Sequence, residues 1–461
     1  MAAAMKLPSG APNKRRPPAR AGGTYEYRRL LEKYTVNIPK TFLEFKIPPG
    51  TIIVADDQIP KCDDGNSDTP ARPTPCAEPL ALYTNTQLMQ MKNALNKTKD
   101  LLDKYSLDKD HHATWTKILY GLRVTNGLVK YIRSAKNGQN VTRAWLKLYE
   151  LHSKYNTVPA SGPFKVFFNA EFPGASICAL NHYIKTMRPG VHWEWMASSY
   201  IPKVIPGQTH TVLEDSYGLY RGNPDRWLMN ADNNGDMMNI NNILDYEKRI
   251  GRTVDLYTHD AGIDVHEDYN LQEEANSRLH LGCALMGFLV LKPGGVFIAK
   301  QYTFYETLTM NLIAIYASLF DTFTISKPMT SGHSNSEIYL VGKGFRGIPD
   351  NIRRVLSIRL ETFTPGPLID ADAIKKDVMS VMLTTAKQLT QLQIDTIRLG
   401  IDMYEAVVGP LQNRPVDERM PAIDKLLADI QPAQVAFSVS WTKIFPIRRI
   451  DIADYVSAIK Q

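Results

Sequence analysis

The chain has 461 residues, 44% of them hydrophobic, with 54 Lys and Arg against 47 Asp and Glu and a formal net charge of +7. It is a globular chain able to bury one large core or two to three modest ones, and its mild basicity fits an anionic partner such as nucleic acid without requiring one. Cys62, Cys76, Cys178 and Cys283 form no C-x-x-C pair of zinc spacing, and no apolar run reaches 18 residues, which argues against a zinc module, secretion and membrane insertion. A reducing compartment is expected, and "NKT" at Asn96 and "NVT" at Asn140 are expected to carry no glycan.

Residues 1–23 place Lys6, Lys14, Arg15, Arg16 and Arg20 among Pro, Ala and Gly, a composition predicting a disordered basic tail. "NKRRPPAR" reads either as a solvated tail or as a nuclear-import or RNA-phosphate patch. Residues 24–109 form an N-terminal extension. Within it Thr41 to Ala55 has the pattern of one or two strands, and "CDDGNSDTPARPTPCAEP" from Cys62 to Pro79 is a loop-rich connector. Leu88, Met91, Leu95 and Leu102 then recur at helical spacing, and "TWTKILYGLRVTNGLVKYIRS" continues in the same style.

From 110 to 345 the pattern changes. Apolar runs at 164–170, 192–199, 254–260, 295–300, 322–326 and 337–343 alternate with helical stretches, one spanning about Leu271 to Leu291. A second helix is expected to open on a capping box of Thr303 and Glu306. The alternation predicts a mostly parallel α/β sheet. Residues 346–461 read as a helical C-terminal region, exemplified by "AIKKDVMSVMLTTAKQLTQLQIDTIRLGIDMYEAVVG".

In such a sheet ligands lie outside the carboxyl ends of the strands. There "AEFPGAS" makes a tight turn into a helix, Asp260 follows a strand in "YTHDAG", and Lys300 ends the strand "GGVFIAK". Glu337 begins the last strand and joins the other two only if that strand runs antiparallel. Lys147 borders the apolar stripe of "TRAWLKLYELHSKY", about 60 to 70° from its centre at 100° per residue. Two lysines and two carboxylates meeting in a partly dry cleft would be charge-balanced, and a lysine so placed can accept a hydroxyl proton. His259 and His333 flank two of these motifs without metal-site spacing, so no metal is expected.

At these residues the chain resembles the FtsJ-like (RrmJ-type) ribose 2′-O-methyltransferases, most closely their cap-specific mRNA branch and relatives in large DNA viruses and kinetoplastids. The motifs are "TRAWLKLYEL", "AEFPGASICALNHYIK", "NGDMMN", "YTHDAG", "LKPGGVFIAK" and "KPMTSGHSNSEIYLVGKGF" in that order. The resemblance implies a Rossmann-like S-adenosylmethionine-dependent methyltransferase sheet with helices on both faces. It implies Lys147, Asp260, Lys300 and Glu337 as the catalytic tetrad, with Lys300 the base and Lys147 lowering its pKa. Gly174, Trp193, Asp236 and Asp260 would bind the cofactor, although the family's glycine-rich first motif is reduced here to one glycine.

The acceptor implied is a ribose 2′-OH near the capped 5′ end of mRNA, with capping-machinery proteins as further partners. Alternatives are a catalytically silent RNA-binding subunit and a 2′-O-methyltransferase of another RNA. Arg143, Trp145, Tyr302, Lys327 and the basic tail are the candidate RNA contacts. A cellular protein of this kind would work in the nucleus, a viral one in the host cytoplasm or virion.

Overall fold

The computed structural model describes residues 23–50, 83–106, 109–200, 215–228, 234–265 and 268–457. The basic tail up to residue 22, the connector at 62–79 and residues 51–55 of the Thr41–Ala55 segment lie outside them. Among the described residues seven strands form one sheet: β1 (Leu43–Ile47), β2 (Gly162–Asn169), β3 (Val191–Ser198), β4 (Val254–His259), β5 (Leu291–Gln301), β6 (Phe320–Lys327) and β7 (Ile338–Phe345). Their order is β1-β6-β7-β5-β4-β2-β3.

The sheet is mixed where a mostly parallel one is predicted. β3, β2, β4 and β5 run parallel, whereas β7 is antiparallel to both β5 and β6, and β1 to β6. Connection chemistry explains the split. A parallel return needs a crossover element, and the helices Ala175–Met187 and Gln272–Val290 supply two of them. β6 and β7 are joined by a loop without a helix, so β7 comes straight back. Its first residues therefore lie beside the last residues of β5, with Lys300 opposite Tyr339.

The period of two along each strand divides the core. Phe167, Tyr257 and Phe297 point into one buried cluster with the helices Gln272–Val290, Thr307–Leu319 and the N-terminal half of Lys376–Val408. Val166, Phe168, Leu256 and Ile298 point into another with Arg143–Tyr155, Ala175–Met187 and the end of Val416–Ile444. The fold is thus a Rossmann-like α/β sheet with helices on both faces. A third cluster joins Leu30 and Tyr34 of the helix Gly23–Asn37 to Trp115, Met403 and Leu426, so the chain's two helical flanks share a core.

One local expectation fails. Thr303 and Glu306 make no capping box: Thr303 Oγ1 donates to Glu273 at 2.7 Å, and Glu306 gives no side-chain cap to the helix Thr307–Leu319. The carboxylate of Glu273, from the helix Gln272–Val290, instead accepts the N–H groups of Tyr305 and Glu306 at 3.0 and 2.9 Å. A long-range carboxylate has replaced the local device at that helix start.

Candidate active site

The carboxyl ends of β2 and β4 open into a cavity of about 540 Å³, within the range that small-ligand sites occupy. Its floor is the turn after β2. Gly174 has φ +107, and a Cβ there would come within 2.6 Å of the Leu219 side chain, so the turn needs a glycine for both conformation and space. Glu171, Pro173, Ala175 and Ser176 around it line the cavity. Gly235 is equally constrained: with φ +71, its Cβ would fall 2.0 Å from the Ser199 carbonyl oxygen. That close approach seats Asp236 at the far wall, where Asp236 Oδ1 accepts from the Met238 N–H at 2.8 Å.

Three buried polar side chains lining the cavity keep atoms without partners: both amide atoms of Asn140, Asn169 Oδ1 and Glu171 Oε2. Asn140 is fully buried and holds a left-handed φ of +50, an uncommon state for a residue with a Cβ. Burial pushes Glu171 up to about 8, its hydrogen bond with Ser176 opposing and the Asp260 charge adding. Such orphans are costly unless a ligand or water completes them.

The tetrad lies at the edge of this cavity, and the structure brings all four side chains together. Lys147, one turn into the helix Arg143–Tyr155, is 2.6 Å from Glu337 Oε1 and 2.7 Å from Oε2. Thr142 caps that helix by accepting the Trp145 N–H at 3.3 Å. Ser331 Oγ also donates to Glu337 Oε1, at 3.0 Å. Lys300, next to last in β5, donates to the Asp260 carbonyl oxygen at 2.7 Å and stands 3.4 Å from Asp260 Oδ1. Tyr339 of β7 donates to the same Oδ1 at 3.1 Å. At Gly262 a Cβ would sit 2.5 Å from the Tyr302 hydroxyl and 3.3 Å from Lys300 Nζ, so the small residues after Asp260 make room for the amine.

The electrostatics reverse one expectation. Burial alone would lower the Lys300 pKa, but Asp260, the Tyr302 hydroxyl and Glu337 together outweigh it and hold the amine above its ordinary value. Lys147 is spent on Glu337 and does not bring Lys300 down. Burial raises Glu337, yet Lys147, Lys300 and Lys327 overcome it and keep the carboxylate ionised well below its usual range.

The remaining residues singled out from sequence fall elsewhere. Trp193 does not line the cavity: it is the third of eight residues in β3, near the end of the strand away from the ligand side. Trp145 and Lys327 are buried and unavailable to RNA. Trp145 stacks on Tyr149 with centroids 5.1 Å apart. Lys327 Nζ donates to Asn335 O, Asn335 Oδ1 and Glu337 O at 2.8, 2.7 and 2.7 Å, holding the loop that delivers Glu337. Arg143 is exposed and Tyr302 half-buried. His259 is buried behind Asp260, and among the described residues no three His, Cys, Asp or Glu side chains are grouped to hold a metal.

Sequence reasoning missed the groups that fasten the tetrad. Glu150, one turn beyond Lys147 and fully buried, accepts the N–H groups of Met329 and Thr330 at 2.7 and 2.9 Å and the Trp441 indole at 2.8 Å. Gln393 donates to Ser334 O at 3.1 Å. Near the C-terminus, Ser457 accepts from Gln139, Gln139 in turn accepts the Val456 N–H, and Tyr455 donates to Asn137 O. The only sequence trace of these contacts is a carboxylate, Glu150, set between the apolar neighbours Leu148, Tyr149 and Leu151.

A Rossmann-like sheet with a cavity at its strand ends and a charge-balanced cluster beside it can house a small ligand next to ionisable groups. Residues 140–345 match the model of the FtsJ-like methyltransferases, and the chain belongs to that family. It is 37% identical over 348 residues to "Probable methyltransferase EP424R" of African swine fever virus, covering 71% of this chain and 80% of that protein. It is 27% identical over 355 residues to "Cap-specific mRNA (nucleoside-2'-O-)-methyltransferase 2" of Mus musculus, covering 75% of this chain but less than half, 45%, of the mouse protein. "Uncharacterized protein L511" of Acanthamoeba polyphaga mimivirus is 27% identical across 69% of this chain and 42% of its own length. Among the described residues no helix is long and apolar enough to cross a membrane.

Proposed function

We propose that this methyltransferase transfers a methyl group from S-adenosylmethionine to a ribose 2′-OH near the 5′ cap of an mRNA. The observation that carries the reading is the convergence of Lys147, Asp260, Lys300 and Glu337 at the edge of the cavity that Asp260 itself lines. Relatives named for methylation of capped mRNA at the 2′ oxygen support the choice of acceptor.

The cavity's chemistry fits the cofactor. The orphaned Glu171 Oε2 and Asn169 Oδ1 are acceptors for an ammonium, and the Asn140 amide offers a donor to a carboxylate. Those are the two ends of an amino acid zwitterion. Asp236, on the cavity wall beside Gly235, would accept from an adenine amine. When bound, the cofactor supplies an electrophilic methyl group on a sulfonium.

The chain's own residues then have two tasks. Lys147, Ser331 and Glu337 form a fixed hydrogen-bonded group that holds the acceptor oxygen in line, which contributes several kcal/mol through positioning. Lys300 in its neutral form accepts the hydroxyl proton, a step worth about 10² to 10⁴ in rate. The carboxylates keep Lys300 protonated at rest, and a cationic ligand in the cavity that Asp260 lines opposes them by like-charge repulsion. The proton moves from the hydroxyl to Lys300 Nζ as the oxygen takes the methyl group, so charge is conserved.

Calorimetry with S-adenosylhomocysteine, followed by transfer assays on matched capped and triphosphate-ended oligonucleotides, tests the reading. Cofactor binding with transfer to the capped RNA is the expected result. Binding without transfer to either would make the chain a silent subunit, and equal transfer to both would remove the cap from the account.

A further inference from the structure

A second cavity, of about 230 Å³, shares no lining residue with the first and is bounded by the segment 329–334 that leads to Glu337. The segment 142–144 is the wall between them: Thr142 and Ala144 line the larger cavity, Arg143 the smaller. Arg143 also precedes Lys147 by four residues, so both lie on one face of their helix. Across the cavity Ser331 contributes to the lining while its hydroxyl donates to Glu337. The space therefore abuts the reacting centre, and the helical flanks rather than the sheet build most of it.

Its chemistry has two parts. The interior is apolar and partly aromatic, with Trp115, Leu119, Leu122 and Met403. At the mouth Arg123 and Arg143 are both exposed and close enough for like-charge repulsion, and among the described residues neither is paired with a carboxylate. Burial and the Arg143 charge together push Arg123 below its ordinary value, the Tyr120 ring opposing. His333, also in the lining, keeps Nδ1 buried without a partner. A largely apolar cavity with an unpartnered ring nitrogen inside and two exposed guanidinium groups without carboxylate partners in its lining suits a heteroaromatic base that carries a phosphate.

We propose that this cavity receives the nucleobase adjacent to the methylated nucleotide, with its linking phosphate on Arg123 and Arg143. The inference rests on the proposal that the acceptor is an RNA ribose, and it gives the appended helices a direct part in choosing the RNA. On the 5′ side the adjacent base is the cap guanine, and on the 3′ side it is the next base of the transcript. Both offer the same chemistry to the slot.

Gly400 makes the test clean. It lies in the helix Lys376–Val408 and lines the cavity, and the nearest atom to an added Cβ is Leu119 Cδ2 at 4.0 Å, ordinary contact distance. Gly400→Leu therefore extends a side chain into the slot and favours the helix. Fluorescence anisotropy would measure binding of a 3′-labelled capped heptanucleotide, with the dinucleotide cap analogue as competitor, to the wild type, Gly400→Leu and Arg123→Ala. Each variant is expected to bind the heptanucleotide about tenfold more weakly while binding S-adenosylhomocysteine as the wild type does.

If the competing cap analogue weakens in parallel, the slot holds the cap guanine; if only the heptanucleotide weakens, it holds the transcript base. RNA binding within twofold of wild type in both variants would overturn the proposal. No RNA binding by the wild type would overturn the RNA acceptor itself, and this inference with it.

Discussion

The two halves of the tetrad are built differently. On the β7 side, both Glu337 oxygens are taken by Lys147 within 2.7 Å, Ser331 adds a third bond, and Lys327 and Glu150 fasten the loop behind them. On the β4–β5 side, Lys300 has one short bond, to a backbone carbonyl, and its carboxylate partner is 3.4 Å away and open to the cavity. A fully bonded ion pair is suited to holding an oxygen in place, whereas an amine whose carboxylate partner stands off at 3.4 Å keeps donor positions free to meet a hydroxyl. The contrast fits the proposed division of labour, with positioning on one side and proton transfer on the other.

The largest expected effect falls on the loose side. Lys300→Ala should lower methyl transfer by about 10² to 10⁴ while leaving S-adenosylhomocysteine affinity within a few fold, measured by single-turnover assay and calorimetry. Near-normal turnover would remove Lys300 from the proton-accepting role. On the fixed side, Glu150→Ala strips a carboxylate from two backbone N–H groups and an indole, all buried. It should cost about 3 kcal/mol of stability, read as a lowered denaturant midpoint, and an unchanged midpoint would mean that the clamp does not hold the loop.

Glu337→Gln keeps a hydrogen-bonding shape but removes the charge that fixes Lys147. Its effect on turnover should be smaller than that of Lys300→Ala, about tenfold, with little change in cofactor binding. A loss as large as that of Lys300→Ala would place proton transfer on both sides of the tetrad.

The pH dependence gives the gentlest test. Lys300 stands above its ordinary value, so its neutral fraction grows as pH rises and the rate under saturating conditions should climb through about pH 6 to 9. A flat or falling profile over that range would mean that deprotonation of Lys300 is not needed.

The four clustered charged positions were readable because each sits at the end of a short apolar run or on the border of a helical stripe, local patterns that survive without knowing the partners. Antiparallel entry of β7 was the condition for including Glu337, and the helix-free β6–β7 loop meets it. Distant fastening left no such pattern. Trp441 reaches Glu150 across 291 residues, and Gln139 reaches Ser457 across 318. Thr303 and Glu306 had the right spacing for a cap, but Glu273 from another helix took those N–H groups. Trp193 was expected to bind the cofactor, but it is third in β3 and does not line the cavity, and Lys327 was a candidate RNA contact because spacing does not reveal three backbone and amide oxygens waiting in the core.

Asn140 is the clearest case of a cavity-lining residue hidden from sequence. The sequence marks it only as part of an "NVT" triplet expected to carry no glycan, whereas the structure buries it in the cavity lining with both amide atoms unpartnered.

The most direct test of the central claim is to locate the transferred methyl group on a defined capped oligonucleotide by nuclease digestion and mass spectrometry, using the wild type and Lys300→Ala side by side. The account predicts methylation of a cap-proximal ribose 2′ oxygen by the wild type and none above background by the variant. A methyl group on a base, or equal ribose methylation by both proteins, would contradict it.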